Sequence, residues 1–165
     1  MNTRLAAGAG LSDIEAVEVD WLPELLQYPD KFVDLNSDAV KDRWLPWKAA
    51  QATTTDGKLI GYGTDIGPEA ICYRADLFKA AGLPSDRAGV KEFLGTTWDD
   101  YFAAGKQFAA KSKVPWMESS GAIYQAMINQ VANPYEQADG TVIATTNAEV
   151  KAIYDTVLKA SSDGL

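Results

Sequence analysis

The sequence contains no histidine and a single cysteine, Cys72, among its 165 residues. Without histidine, the side chain that most often does acid–base work near neutral pH and the commonest metal ligand are both missing. Catalysis would have to rest on carboxylates, hydroxyls or amines. One cysteine excludes an internal disulfide framework. Basic residues are also scarce: 15 Lys and Arg stand against 23 Asp and Glu, a formal net charge of −8. A surface of that sign repels phosphate backbones and anionic membranes, which argues against nucleic acid as a partner. No window reaches the roughly 18 consecutive apolar residues of a membrane span, and Met1-Asn2-Thr3-Arg4 has no apolar signal segment behind it. Internal repeats, low-complexity tracts and charge blocks are lacking too.

What is present is the content of a globular chain: 47% hydrophobic residues suffice for a sizeable core at this length. Both ends read as interior, an alanine-rich helix-like stretch at the start and Gly164-Leu165 just after a helix, so a longer parent is expected.

Along the chain, strand and helix signals alternate. Asp13 to Asp20 places β-branched and apolar residues between acidic ones and reads as a buried strand ending at Asp20-Trp21. Trp21 to Tyr28 suits a short helix closed by Pro29. Ser37 is a candidate N-cap for a helix carrying Val40, Trp44 and Trp47, three large residues expected to bury together, with Pro46 kinking or ending it. Thr55-Asp56-Gly57-Lys58 is a turn signal, followed by a short strand Leu59 to Tyr62, a loop, a strand Ala70 to Tyr73 and a helix Asp76 to Ala81 that Gly82 and Pro84 stop. Thr97 and Asp100 form an acidic capping box ahead of Trp98, Tyr101, Phe102, Gly105, Phe108 and Ala109 at helical spacing. Val114 to Met117 reads as a buried strand, Gly121 to Val131 as a helix behind Ser119-Ser120, and Asp139-Gly140 as a turn between short extended pieces. Thr146 and Glu149 suggest a second capping box, before Val150, Ile153, Tyr154, Val157 and Leu158. The alternation predicts an α/β layered fold whose ligands meet the strand ends.

A set of ordered landmarks sharpens this. They are Asp20-Trp21 after a strand, Phe32-Val33-Asp34-Leu35, Asp56-Gly57-Lys58 with Gly61, the run Gly67 to Phe78, Ala80-Ala81-Gly82-Leu83, and Thr97-Trp98-Asp99-Asp100. In this order and spacing they resemble the extracellular solute-binding proteins of ABC-type sugar transporters, the family that includes the maltose-binding protein. The resemblance covers most of Leu11 to Ala110. It implies part of a two-lobed periplasmic-binding-protein type II fold, with residues 1–64 in the amino-terminal lobe and 65–165 in the second lobe. The stretch like Gly61 to Tyr73 would cross between them. It also implies a carbohydrate ligand, a membrane permease as partner, no cofactor, and an extracytoplasmic location, periplasmic or as a cell-surface lipoprotein. Incomplete lobes would leave edges that a second copy can cover.

A pyranose presents an apolar face of C–H groups and an equator of hydroxyls, so its site needs aromatic platforms with carboxylate, amide and hydroxyl partners. Five tryptophans, seven tyrosines and five phenylalanines supply platforms in number. By the resemblance, Asp20 and Trp21 are the leading ligand contacts; the plainer alternatives are an N-cap for Asp20 and a packed aromatic for Trp21. Asp65, between Gly63 and Gly67, accepts sugar hydroxyls or simply makes a turn. In the second lobe Ser119 and Ser120 are hydroxyl partners or helix caps, and Trp116 and Tyr124 are platforms or core. The carboxylate pairs Asp99-Asp100 and Asp65/Glu69 do not suit a glycosidase, since sequence neighbours seldom flank a bond from opposite sides. Two readings remain: a transport receptor that binds a mono- or oligosaccharide intact, without catalytic residues, and a carbohydrate-active enzyme or its non-catalytic binding module.

Overall fold

Helix caps, more than strand pairing, organise this computed structural model, which describes residues 1–137 and 139–165. Their backbone gathers into two units, Met1–Pro68 and Glu69–Leu165. Among the described residues β structure is limited to two isolated antiparallel bridges, Thr53 with Leu59 and Glu136 with Val142.

Unit 1 is built from short helices. Helix α1 (Asn2–Ala7) stops at Gly8, whose φ of 65° lets its N–H return to the Leu5 carbonyl. A 3-10 turn, Val19–Trp21, runs into α2 (Leu22–Leu25), with proline in its first turn, where no N–H is needed. Leu25 is fully buried, and Leu5, Ala52 and Leu59 are buried in this unit as well. Helix α3 (Pro46–Ala50) corrects an expectation: Pro46 starts a helix here instead of breaking one. The stretch after Ser37 is a run of turns ending at Asp42, which has φ 60°; the Ser37 hydroxyl accepts from the Ala39 N–H and its carbonyl from the Val40 N–H, and no helix starts there. Val40, Trp44 and Trp47 therefore share no buried face. Trp47 is half exposed under the Lys48 ammonium, and Trp44 stacks on Tyr62 with ring centroids 4.7 Å apart. The Asp56-Gly57 turn forms as read, with Gly57 at φ 88° and the Thr54 hydroxyl binding both Asp56 and the Lys58 N–H.

Unit 2 holds the main core. Helix α4 (Ala75–Ala80) ends as the Gly82 signal requires: Gly82 at φ 64° donates to the Lys79 carbonyl and Leu83 to that of Phe78, a full Schellman motif. Helix α5 (Arg87–Leu94) was not anticipated; Asp86 caps it by accepting from Ala88 and Gly89. Helix α6 (Trp98–Ala109) carries the expected capping box, with Thr97 accepting from the Asp100 N–H at 3.1 Å and Asp100 accepting from the Thr97 N–H at 3.1 Å. Helix α7 (Ser120–Ile128) is capped by Ser119. Helix α8 (Ala148–Ser162) is capped by Asn147, not by Thr146, whose hydroxyl donates back to the Ile143 carbonyl. Helix α5 packs on α6 and α7 on α8. Phe78, Val90, Leu94, Phe102, Phe108, Met127 and Val157 fill the space between them; each buried side chain of this size contributes about 1.5–3 kcal/mol.

The expected strands do not form within this chain. Residues 15–18, 60–73 and 112–117 carry no regular structure, and Ile14, Val33, Ile71 and Val114 are exposed. The α/β expectation is thus met on its helical side only. The physical reason is that a strand is completed by a neighbour's N–H and C=O groups; these stretches have β-rich composition and no adjacent ladder. A bond from the Met117 N–H to the Leu165 carbonyl at 2.9 Å ties the third stretch to the residues just after α8.

Candidate functional site

In unit 2 a surface cleft of about 440 Å³ opens between α7 and α8, lined by Ser120, Gly121, Tyr124, Tyr154, Val157, Leu158 and Ser161. Its position follows from the caps. Ser119 leaves the preceding irregular stretch in an extended conformation and accepts from the Ala122 N–H at 3.4 Å, so α7 starts at Ser120 and puts Tyr124 one turn further along the same wall. The opposite wall is the flank of α8, where Tyr154 and Leu158 remain more than half exposed while Val150, Val157 and Ala160 are buried.

The two tyrosine rings meet edge to face, with centroids 6.4 Å apart and an interplanar angle of 83°, the geometry the ring quadrupoles favour. The hydroxyl of Tyr135, on the loop after α7, is hydrogen-bonded to the Tyr124 hydroxyl at 3.1 Å. That bond, ahead of partial desolvation, raises the Tyr124 pKa above the ordinary phenol value. The cleft thus joins apolar ring faces and edges, an aliphatic floor and several hydroxyls, with no carboxylate among its lining residues.

Of the residues singled out from sequence, Ser120 and Tyr124 line this cleft, and Ser119 precedes them as the cap of α7. Ser119 is an N-cap, and its hydroxyl proton stays available to donate while its oxygen accepts from the backbone. Trp116 lies elsewhere: its ring packs among Tyr101, Phe108 and Phe78 at centroid distances of 5.2, 5.6 and 5.8 Å, against Gly105. Of the two alternatives for Trp116, platform or core, the geometry is that of a core residue, and its buried indole N–H has no hydrogen-bond partner among the described residues.

In unit 1, Asp20 and Trp21 are neighbours in the 3-10 turn, both exposed, and the turn takes the place of the expected strand end. Asp20 does not cap α2, which has no side-chain cap. Asp65 is exposed in an irregular stretch and accepts from the Thr64 hydroxyl at 3.1 Å. Nearby, a Cβ at Gly63 would strike the Lys48 side chain, while at Gly67 it would meet open space, so only Gly63 marks a close approach. Asp100 spends both its charge and its hydrogen bonds on the start of α6; the Thr97 hydroxyl and then the Thr96 and Thr97 N–H groups hold its carboxyl below the usual Asp value. Glu69 accepts from the Asn129 amide at 3.2 Å. Among the described residues no group of three or more His, Cys, Asp or Glu side chains is placed to hold a metal ion, and no helix is long and apolar enough to cross a membrane.

The sequence reading missed Tyr135 and the outward role of Tyr154. Tyr154 was grouped with the buried stripe of α8, yet it stands four residues after Val150, on the stripe's edge, where a ring can reach sideways to Tyr124.

Comparison with known proteins identifies the family. Residues 1–163 match the family described as bacterial extracellular solute-binding protein. An arabinooligosaccharide-binding protein of Bacillus subtilis (strain 168) is 30% identical over 161 residues, 93% of this chain and 35% of that protein. A lactose-binding protein of Rhizobium radiobacter is 28% identical over 162 residues, 94% of this chain and 37% of that protein. A crystal structure of an extracellular solute-binding protein of family 1 superposes with a TM-score of 0.89 at 48% identity, over 99% of this chain and 42% of that one. The chain spans little more than a third of the length of the curated relatives it matches. With the match running over nearly its whole length, this chain belongs to the family of bacterial extracellular solute-binding proteins.

Proposed function

We propose that the chain is part of the substrate-binding component of an ABC transporter and takes a mono- or oligosaccharide into a cleft between two lobes for uptake. Family membership carries this reading, and the ligand class is supported by the α7–α8 cleft within the second unit, where the Tyr124 and Tyr154 rings meet at nearly right angles beside Ser120 and Ser161. Apolar ring surface suits the C–H face of a sugar, and hydroxyls suit its equator. The relatives' names, arabinooligosaccharide-binding and lactose-binding, point to the same ligand class.

In this reading the extended stretches around Val17, Ile71 and Val114 pair with strands from the rest of the protein, giving an α/β periplasmic-binding-protein type II fold. Residues 1–64 belong to the amino-terminal lobe and 65–165 to the second. Asp20, Trp21 and Asp65 contact the ligand from the first part of the chain, and Ser119, Ser120 and Tyr124 from the second. The sugar leaves unchanged, handed to a membrane permease, and the protein works outside the cytoplasmic membrane, in the periplasm or as a surface lipoprotein.

Calorimetric titration of the full-length protein with arabinooligosaccharides, lactose and monosaccharides, with chromatography of the mixtures, tests this. Saturable binding without new products is expected. Trp21→Ala and Asp20→Asn should each weaken it by about 1–3 kcal/mol if both meet the ligand in a desolvated cleft. Release of new reducing ends would instead support a carbohydrate-active enzyme, and unchanged affinity in both variants would remove these residues from the site.

A further inference from the structure

We propose that Trp44 is a positioning residue for the sugar contact at Asp65: it clamps the two residues that lead into the Asp65 loop, so that the carboxylate is presented from a fixed stretch of backbone. The proposal rests on the assignment of Asp65 to the ligand made above.

Asp65 gets little support from its own surroundings. It is exposed in an irregular stretch, and among the described residues its carboxylate is bonded only to the neighbouring Thr64 hydroxyl, at 3.1 Å. A carboxylate has about four lone-pair sites, so most of its accepting capacity stays open. Beyond it, Ile66 is half exposed and a Cβ at Gly67 would meet open space. Among the described residues, 66–68 make no hydrogen bond and no ring contact. What holds Asp65 in place must therefore come from the residues before it.

Those residues are held from several sides. The Trp44 ring lies flat on the Tyr62 ring, with centroids 4.7 Å apart and planes 7° from parallel. Its indole N–H, which can only donate, reaches the Gly63 carbonyl at 2.7 Å. The Tyr62 hydroxyl donates to the Leu35 carbonyl at 2.7 Å, and the Ile60 N–H to that of Ala52 at 2.9 Å. Gly63 closes the seat: a Cβ there would stand 2.8 Å from both Cγ and Cε of Lys48, so glycine lets the chain settle this close to α3. Trp44 thus grips Tyr62 with its ring and Gly63 with its N–H. Asp65 follows two residues later, at most about 7 Å of chain away. Over so short a span a shift of Gly63 carries into the position of the carboxylate, and a binding contact needs placement within about 0.5 Å.

The test is a double-mutant cycle in the full-length protein, titrated calorimetrically with arabinotriose and with lactose. Trp44→Phe keeps a ring to stack on Tyr62 and removes the N–H; it should weaken binding about two- to tenfold, and Asp65→Ala should weaken it about tenfold or more. Added to Asp65→Ala, Trp44→Phe should cost less than about twofold, since no carboxylate is left to place. Gly63→Ala, which disturbs the same seat from the side of Lys48, should show the same dependence on Asp65 and carries the comparison if circular dichroism finds Trp44→Phe unfolded. Equal losses from Trp44→Phe with and without the Asp65 side chain, the behaviour of a merely structural residue, would overturn the proposal, as would unchanged affinity in Trp44→Phe. Wild-type affinity for both sugars in Asp65→Ala would overturn it through the Asp65 assignment alone and leave the sugar reading in place. No binding of either sugar by the wild type would overturn both.

Discussion

Gly105 lies in the middle of α6, where alanine is ordinarily the better helix residue by about 1 kcal/mol, yet Gly105→Ala is expected to destabilise the protein. A Cβ at this position would stand 2.6 Å from Trp116 Cδ1, 2.7 Å from Nε1 and 2.9 Å from Cγ. Carbon atoms in good contact are about 3.5–4.0 Å apart, so the indole would have to withdraw by about 1 Å. Its path is blocked, because the ring is packed against Tyr101, Phe108 and Phe78. Overpacking of a filled core costs about 1–3 kcal/mol, and subtracting the propensity gain leaves a net loss of about 0–2 kcal/mol.

Urea denaturation followed by near-UV circular dichroism measures the difference. Ala103→Gly, at an exposed position of the same helix, calibrates propensity alone and should cost about 1 kcal/mol. The decisive comparison is Gly105→Ala in a Trp116→Ala background, which removes every atom of that side chain beyond Cβ. With the indole gone the new methyl meets no obstacle, and the substitution should turn stabilising by about 0.4–1 kcal/mol. A stabilising Gly105→Ala in the wild-type background, or the same sign in both backgrounds, would refute the reasoning.

Two further outcomes follow from the caps. Asn147→Ala should cost about 1–2 kcal/mol, since it removes the α8 cap and leaves the Asn133 and Pro134 carbonyls without their donor; hydrogen exchange at the Glu149 amide should quicken with it. Acid should also destabilise the protein. The Gly89 N–H, then that of Ala88, holds the Asp86 carboxyl below the ordinary Asp value, and the Thr97 hydroxyl does the same for Asp100. Because these pKa values are depressed on folding, the stability they supply is complete above the ordinary value of 3.8 and is lost as the pH falls through the lower folded values. Urea midpoints measured from about pH 6 down to about pH 2 should fall over that lower range. Asp86→Asn, which keeps a capping oxygen without a titrating charge, should fall less.

Helices proved more legible than strands for a physical reason. A helix satisfies its own backbone, so local signals suffice: the Thr97–Asp100 box, the apolar period from Trp98 to Phe108 and the Gly82 stop all appear where their residues stand. A strand signal states only half of a pair. Asp13 to Asp20 and Ala70 to Tyr73 have the composition of strands, and nothing in either stretch says whether the partner lies in the same 165 residues. Punctuation misled twice. Pro46 carries the same letter whether it ends a helix or opens one. Pro84 and Gly89 masked α5, although Asp86 followed by Val90 and Leu94, four residues apart, was a cap with an apolar face.

The site shows where periodicity loses its resolution. On α8 the residues Val150, Ile153, Val157 and Ala160 define the packed face, and Tyr154 and Leu158 sit one position off it. In the sequence the edge and the centre of that stripe read alike, because each position is apolar and each lies within the arc a core can cover. The difference lies in what stands opposite: α7 presents Tyr124 there and leaves the Tyr154 ring an open side. The converse holds for Trp116, whose neighbour across the helix packing is Gly105, a residue with no side chain to announce the contact. A glycine inside a strongly amphipathic helix is therefore the more telling mark, since it costs helix stability unless something large needs the space. By that logic Gly105 marks a large neighbour packed on α6, which the packing identifies as Trp116, while the outward position of Tyr154 and its pairing with Tyr124 follow only from the packing of α7 on α8.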